Sequence, residues 1–301
     1  MTNSTQIYFS DDYVVSSANL ETVSKAGKVA NNIKSGNSDS VIVAPRPVTR
    51  EELLKVHSER YVDEVLFGTS AFECGPRSPE VLRSILASTS GCRDAALSAL
   101  KNGRSGSLSS GLHHAGRNYG NGFCTINGLA LAAVTALEQG VGTVGILDLD
   151  AHFGGGTFDI LGDNPHVRIA DVSVSNFDRY SSESERHQVV CCSNPRTYLQ
   201  RVDEALAHLG DVDFLIYNAG VDAHEDAGGL RGITKSVIRK RERAVARFCA
   251  ERNIPVMFVL AGGYAIACTL EDVVALHLEV VDAFSNNITS RERNIEICTT
   301  A

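Results

Sequence analysis

The sequence predicts an α/β fold built on a single doubly wound, mostly parallel sheet with helices on both faces. Three observations carry this. Short runs rich in Val, Ile and Leu lack polar alternation, as strands covered on both faces do. Longer stretches with apolar residues at helical spacing lie between them. The two kinds then alternate through the second half of the chain, the pattern of strand-helix-strand units in a parallel sheet.

Strands are expected at 6–9, 40–44, 143–149, 167–174, 214–218 and 256–261. Helices are expected at 49–66, 79–101, 125–139, 196–209, 234–252 and 265–284. The first opens on T-R-E-E, where Thr49 caps the helix and the acids sit in its first turn. The second contains Gly91, a place for a break. Neither an internal repeat nor a Pro/Gly-rich linker divides the chain, so one domain over 1–301 is expected, with 1–5 and 285–301 as soft ends.

Composition narrows the function classes. The 301 residues carry 36 acidic and 28 basic side chains, a net charge of −8, which argues against an electrostatic grip on nucleic-acid phosphates. No apolar run is long enough to span a membrane, and MTNSTQIYFSDD lacks the basic start and apolar stretch of a secretory leader. The eight cysteines form no C-x-x-C pair and several lie in apolar runs, so free thiols in a reducing compartment, and hence a cytoplasmic location, are expected.

In a parallel sheet the site gathers beyond the carboxyl ends of the strands. One expected strand ends in Asp148-Leu149-Asp150-Ala151-His152, and alternation along an extended strand end points Asp148, Asp150 and His152 the same way. Another is followed by Asp222-Ala223-His224, and a third by Gly262-Gly263-Tyr264. A further cluster, Gly111-Leu112-His113-His114-Ala115, precedes Gly122-Phe123-Cys124. One imidazole and two carboxylates from Asp150, His152 and Asp222 suit a catalytic Zn²⁺ with open positions, and also Fe²⁺ or Mn²⁺. Such an ion activates water and polarises a carbonyl, a neighbouring His pair moves protons, and a Tyr hydroxyl stabilises an oxyanion. Together these are the parts of an amide hydrolase. His57, His166, His187, His208 and His277 stand alone in the sequence and read as surface or satisfied core residues.

GLHHAGRNYGNGFCTINGLALAA, GILDLDAHFGGGT, NAGVDAHEDAGGL and LAGGYA resemble, in this order, the zinc-dependent histone deacetylase superfamily, which includes the acetylpolyamine amidohydrolases and acetoin-utilisation proteins. FECGPRSP and VTREELLKVHSERYVDEV extend the resemblance upstream over most of the chain. It implies an arginase/deacetylase-like fold and a metal-dependent deacetylase acting on linear amide C–N bonds. Asp150, His152 and Asp222 would be the metal ligands, and His113 the histidine paired with buried Asp148. His114 would be the general base and Tyr264 the hydroxyl on the substrate carbonyl. Gly122 and Phe123 would form one wall of the acyl channel and Phe177 the other, with Gly262 and Gly263 lining the substrate site. Glu73 would be an acidic rim residue. The resemblance also implies a structural K⁺ held by Asp148, Asp150, His152, Ser173 and Val174. The expected substrate is an acylated amine, namely a peptide lysine, a polyamine or a small metabolite.

The chain departs from the family in one place. Where members usually carry Asp or Asn three residues after the metal-binding His, to orient the second His, this chain has Gly155. Without a substitute from water or another side chain, the pKa and tautomer of His114 would shift and activity with them. Two other readings stay open. An arginase-like ureohydrolase would use two Mn²⁺ ions, and Asp222 and His224 superficially suit it, but DLDAHFGGG lacks the further aspartate of a second metal site. A metabolite-binding or regulatory protein would treat Gly155 as the mark of a decayed site.

Overall fold

In a computed structural model, which describes residues 4–15, 24–109 and 112–285, eight strands form one sheet in the order β2-β1-β3-β8-β7-β4-β5-β6. They are β1 (Gln6–Tyr8), β2 (Val41–Val43), β3 (Arg104–Ser107), β4 (Val144–Asp148), β5 (Val167–Ser173), β6 (His187–Cys191), β7 (Phe214–Asn218) and β8 (Val256–Val259). Every neighbouring pair is parallel. The helices are α1 (Lys25–Asn32), α2 (Arg50–Leu53), α3 (Glu59–Phe67), α4 (Pro79–Asn102), α5 (Gly128–Glu138), α6 (Gly155–Leu161), α7 (Tyr198–Leu209), α8 (Lys235–Arg252) and α9 (Leu270–Ala283). The expected soft ends lie almost wholly outside the described residues, as do Gly111 and Cys298.

The strand side chains divide between two cores, which is what a doubly wound sheet requires. On one face Leu147, Val172, Leu215, Tyr217 and Phe258 pack with apolar residues of α1, α7, α8 and α9. On the other, Ile146, Ile169, Phe214, Ile216 and Met257 pack with α4, α5 and α6. Strands β4, β7 and β8 are buried at every position, and their sequences are apolar up to the polar Asp148 and Asn218 that end β4 and β7.

The structure corrects several expected elements. Strand β3 has the sequence RSGS and was not expected. It pairs with β1 and β8, and a Cβ at Gly106 would stand 2.4 Å from the Phe258 ring, so the glycine makes room for a core aromatic. Strand β6 and helices α1 and α6 were also not expected. The helix expected at 49–66 is two, α2 and α3, although Thr49 and Glu52 do form a capping box. Between them His57 is buried, its Nδ1 donating to the Gly116 carbonyl at 2.9 Å and its Nε2 accepting the Asn127 N–H at 3.0 Å. Gly91 does not break α4; a Cβ there would overlap the Tyr13 hydroxyl, so it serves close packing. Helix α9 starts at Leu270, capped by Thr269, because the chain leaving β8 first turns through Gly262 and Gly263.

The seven cysteines among the described residues are free thiols. Among the same residues no helix is long and apolar enough to cross a membrane.

Candidate active site

Because the strands are parallel, the segments after β3, β4, β5, β7 and β8 emerge at one edge of the sheet. After β4 the chain does not stay extended. Asp148 Oδ1 accepts the N–H of Asp150 at 3.2 Å, and Asp150 Oδ1 accepts the N–H of His152 at 3.0 Å. These successive Asx-type turns, rather than strand alternation, aim the side chains. Asp148 turns to His113, while Asp150 and His152 meet Asp222 from the segment after the neighbouring strand β7.

Asp150, His152 and Asp222 present ligand atoms within 4.8 Å of one another. His152 Nδ1 lies 3.1 Å from Asp150 Oδ1 and 3.4 Å from Asp222 Oδ2. Ligands about 2.0 Å from a tetrahedral Zn²⁺ stand roughly 3.3 Å apart, so the set fits such an ion. Both carboxylates are buried, whereas the His152 side chain keeps 27% of its exposure, so the cluster opens on that side. Asp222 Oδ2 is buried without a hydrogen-bond donor, a costly state that a cation relieves. Burial, and then the neighbouring charge of Asp150, push the Asp222 carboxyl up. Glycines bring the backbone close: a Cβ at Gly262 would be 2.2 Å from Asp222 Cγ, and one at Gly220 would be 2.3 Å from Asp150 Cα.

Beside this cluster the rings of His113 and His114 lie 3.9 Å apart. His113 Nδ1 pairs with Asp148 Oδ2 at 2.8 Å, and Asn218 Nδ2 donates to Asp148 Oδ1 at 2.8 Å. Burial opposes the charged form of His113, but Asp148 and Asp150 outweigh it and lift the ring to about 10. His114 moves the other way: burial and the His113 charge push it down, against an opposing pull from Asp178. Gly122 lies against His114, where a Cβ would be 2.3 Å from the ring.

The place where Gly155 leaves no side chain is filled. His114 Nδ1 lies 2.7 Å from Asp178 Oδ2, in the loop after β5. Phe177, next to it, sets its ring edge-on to His114 and His152 at centroid distances of 5.0 and 5.7 Å. Phe177 and Phe123 are both exposed aromatics. Tyr264 is half-buried, and burial followed by the charges of Asp222 and Asp150 holds its hydroxyl protonated. Ser173 Oγ and the Val174 N–H both donate to the Ala151 carbonyl, beside the turn that carries the ligands. A Cβ built on Gly263 would meet Val221, Val273 and the His277 ring. Glu73 is exposed and neighbours Gly120 at the start of the Gly122 loop.

Asp178, Asn218, Asp171 and Lys25 escaped the sequence reading. Asp171, fully buried, accepts the Gly154 N–H at 2.8 Å and is pushed well up by burial and by Asp148. Lys25, also fully buried, donates to the Gly262 carbonyl; burial lowers it to about 8, against the pull of Asp222 and Asp150. Asn218 and Asp171 end or line strands that point at the site, a usable signal. Nothing in the sequence around Lys25 or Asp178 singles them out.

A parallel α/β sheet thus carries at its carboxyl edge a His pair, a tyrosine and a trio of residues that could hold a metal ion. The chain belongs to the histone deacetylase family: the Histone deacetylase domain matches residues 17–190, which take in His113, His114, Asp148, Asp150 and His152. Histone deacetylase 2 of Arabidopsis thaliana is 30% identical over 286 residues, covering 86% of this chain and 74% of that protein. Acetylpolyamine amidohydrolase 1 of Pseudomonas aeruginosa is 25% identical over 307 residues, covering 82% and 87%. Among solved structures, the HDA15 HD domain superposes with a TM-score of 0.77 at 20% identity, covering 95% of this chain and 92% of that one. An acetylpolyamine aminohydrolase from Burkholderia pseudomallei gives 0.76 at 20% identity, covering 93% and 98%. The protein is thus a hydrolytic deacetylase by family.

Proposed function

We propose that this chain is a Zn²⁺-dependent amidohydrolase that removes a short acyl group from an amine on an aliphatic tether. The observation that carries this reading is the juxtaposition of the Asp150–His152–Asp222 cluster with the His113–His114 pair. A divalent ion held by those three residues supplies Lewis-acid activation of water and of the amide carbonyl. Fe²⁺ or Mn²⁺ would suit the same donor set.

The rest is the work of the chain's own groups. His114, whose Nδ1 is engaged by Asp178, keeps Nε2 as the proton-accepting atom and later returns the proton to the departing amine. His113, charged against Asp148, adds positive potential where negative charge develops. Tyr264 O–H donates to the carbonyl oxygen. Phe123 and Phe177 offer apolar walls to the tether, and Glu73 an acceptor at the rim. Ser173 and Val174, with the Asp148–His152 turn, would hold a structural K⁺.

The relatives are named for acetylated polyamines and histones, which supports an acylated amine as substrate. The ureohydrolase reading fares worse: His224 Nδ1 accepts the Asp226 N–H, and among the described residues a single trio has metal-ligand geometry. Parallel assays of an acetyl-lysine peptide and acetylputrescine, with Zn²⁺ added and then chelated, test the proposal. Chelator-sensitive release of acetate from either supports it. A protein that binds one Zn²⁺ and cleaves neither, nor any longer acyl analogue, would overturn it in favour of a binding role.

A further inference from the structure

Resting on that reading, we propose that Asp178 is the positioning residue of His114, and that it takes over from a different loop the task that Gly155 cannot perform. The carboxylate engages both sides: Oδ2 is 2.7 Å from His114 Nδ1, and Oδ1 accepts from Asn121 Nδ2 at 3.3 Å. Its side chain keeps only 14% of its exposure, so water competes little for the imidazole. The backbone is also committed. Asp178 has φ +56°, a region that Asp tolerates better than most residues, and the Phe153 N–H donates to the Phe177 carbonyl at 3.1 Å. This bond ties the loop to the residue directly after His152.

A side chain at 155 is incompatible with the Asp178 segment as it lies here. A Cβ built on Gly155 would stand 2.5 Å from the Asp178 carbonyl oxygen, 2.6 Å from Oδ1 and 2.8 Å from Cγ. An aspartate at 155 and the carboxylate of Asp178 would claim one volume and bring two negative charges together. The absence of a side chain at 155 is therefore a condition for the Asp178 arrangement, not the loss of an orienting group.

The exchange has a chemical consequence. A carboxylate accepting from Nδ1–H selects the tautomer with a free Nε2 and stabilises the imidazolium that forms when Nε2 takes a proton. Here that carboxylate shares a loop with Phe177, whose ring touches both His114 and His152. One loop therefore sets both the basicity of His114 and the channel wall beside it.

The test uses single variants and two readouts. Asp178→Ala should lower kcat on the acylated amine about 100-fold with KM little changed. Asp178→Asn, which keeps the size, should shift the acid limb of the pH–rate profile to lower pH, because the imidazolium loses its counter-charge. Gly155→Asp should impair the otherwise unaltered chain, because its Cβ would meet the Asp178 carbonyl oxygen as well as the carboxylate. In metal-free protein, ¹⁵N NMR of the His114 ring should show Nδ1 protonated in the unaltered chain and a mixed tautomer in Asp178→Ala. Unchanged tautomer and turnover in Asp178→Ala, or a gain from Gly155→Asp with Asp178 in place, would overturn the proposal. The NMR readout stands whatever the substrate, so its failure is distinguishable from failure of the amidohydrolase reading.

Discussion

Asp222 turns Oδ1 onto the backbone N–H of Ala151 at 2.9 Å and leaves Oδ2 buried with no donor. The first bond fastens the segment after β7 to the turn after β4, and the second oxygen stays available to a cation. Zn²⁺ should therefore raise the melting temperature of the protein, by the equivalent of about 2.7 kcal/mol at a hundredfold excess over Kd. Asp222→Asn keeps an oxygen for Ala151 but offers an amide to the ion. Its melting point should respond little to Zn²⁺ while its apo stability holds or rises. A full Zn²⁺ response in that variant would remove Asp222 from the ligand set.

Burial, and then Asp222 and Asp150, hold the Tyr264 hydroxyl protonated, so it would be able to donate throughout the neutral range. Tyr264→Phe should cut kcat roughly 100-fold, the usual scale for one oxyanion donor, with Zn²⁺ affinity unchanged. Calorimetric Zn²⁺ titration beside steady-state kinetics checks both halves. Equal turnover would refute the assigned role.

Gly262 combines φ +56° with a built Cβ 2.2 Å from Asp222 Cγ. Gly140 has φ +89° but open space around it. Alanine at 140 should cost only the backbone strain, about 1 kcal/mol. Alanine at 262 should cost more than that and also weaken Zn²⁺ binding, since Asp222 must move. Urea melts with and without Zn²⁺ separate the two, and matching losses at both sites would argue that Gly262 serves the backbone alone.

His57 gives a pH dependence of stability. Burial lowers its pKa from 6.5 to about 4, and protonating Nε2 would also break the bond it accepts from Asn127. The unfolded chain then binds a proton between these values that the folded chain refuses. The contribution of this site is fully present above pH 6.5 and is lost as pH falls towards 4, at about 1.4 kcal/mol per unit and about 3 kcal/mol in all. His57→Gln should unfold more readily at neutral pH but with a shallower decline below pH 6. A parallel decline in both proteins would place the titration elsewhere.

Much of the fold was legible because burial on both faces forces the central strands to be apolar along most of their length. Strand 214–218 has the expected ends, and β4 and β5 lie within the expected limits. The strand β3 was illegible for the complementary reason. Its Ser and Gly residues are strand-like only because β1 and β8 flank them and Phe258 needs the space at Gly106. Helix α6 begins with two glycines, and its early turn leans on the His pair, with the Thr157 N–H donating to the His113 carbonyl at 2.8 Å. Helix 49–66 looked continuous because its periodicity is, yet His57 draws the chain inward.

The order of the motifs along the chain was enough for the family, and it singled out the Asp150–His152–Asp222 trio and the His pair that the structure brings together. Each of these residues lies a few positions past a strand end, and a parallel sheet delivers all such ends to one edge whatever the loops between them do. Gly155 looked like a missing part on the same reasoning. Whether it was one depended on a side chain from another loop, whose approach hangs on φ +56° at Asp178 and on the bond from Phe153 to Phe177. The same holds for Lys25 under Gly262 and Asn218 beside Asp148. Local patterns encode which residues leave a strand at its carboxyl end. They do not encode which distant side chain fills the space those residues leave, because that is set by packing in three dimensions.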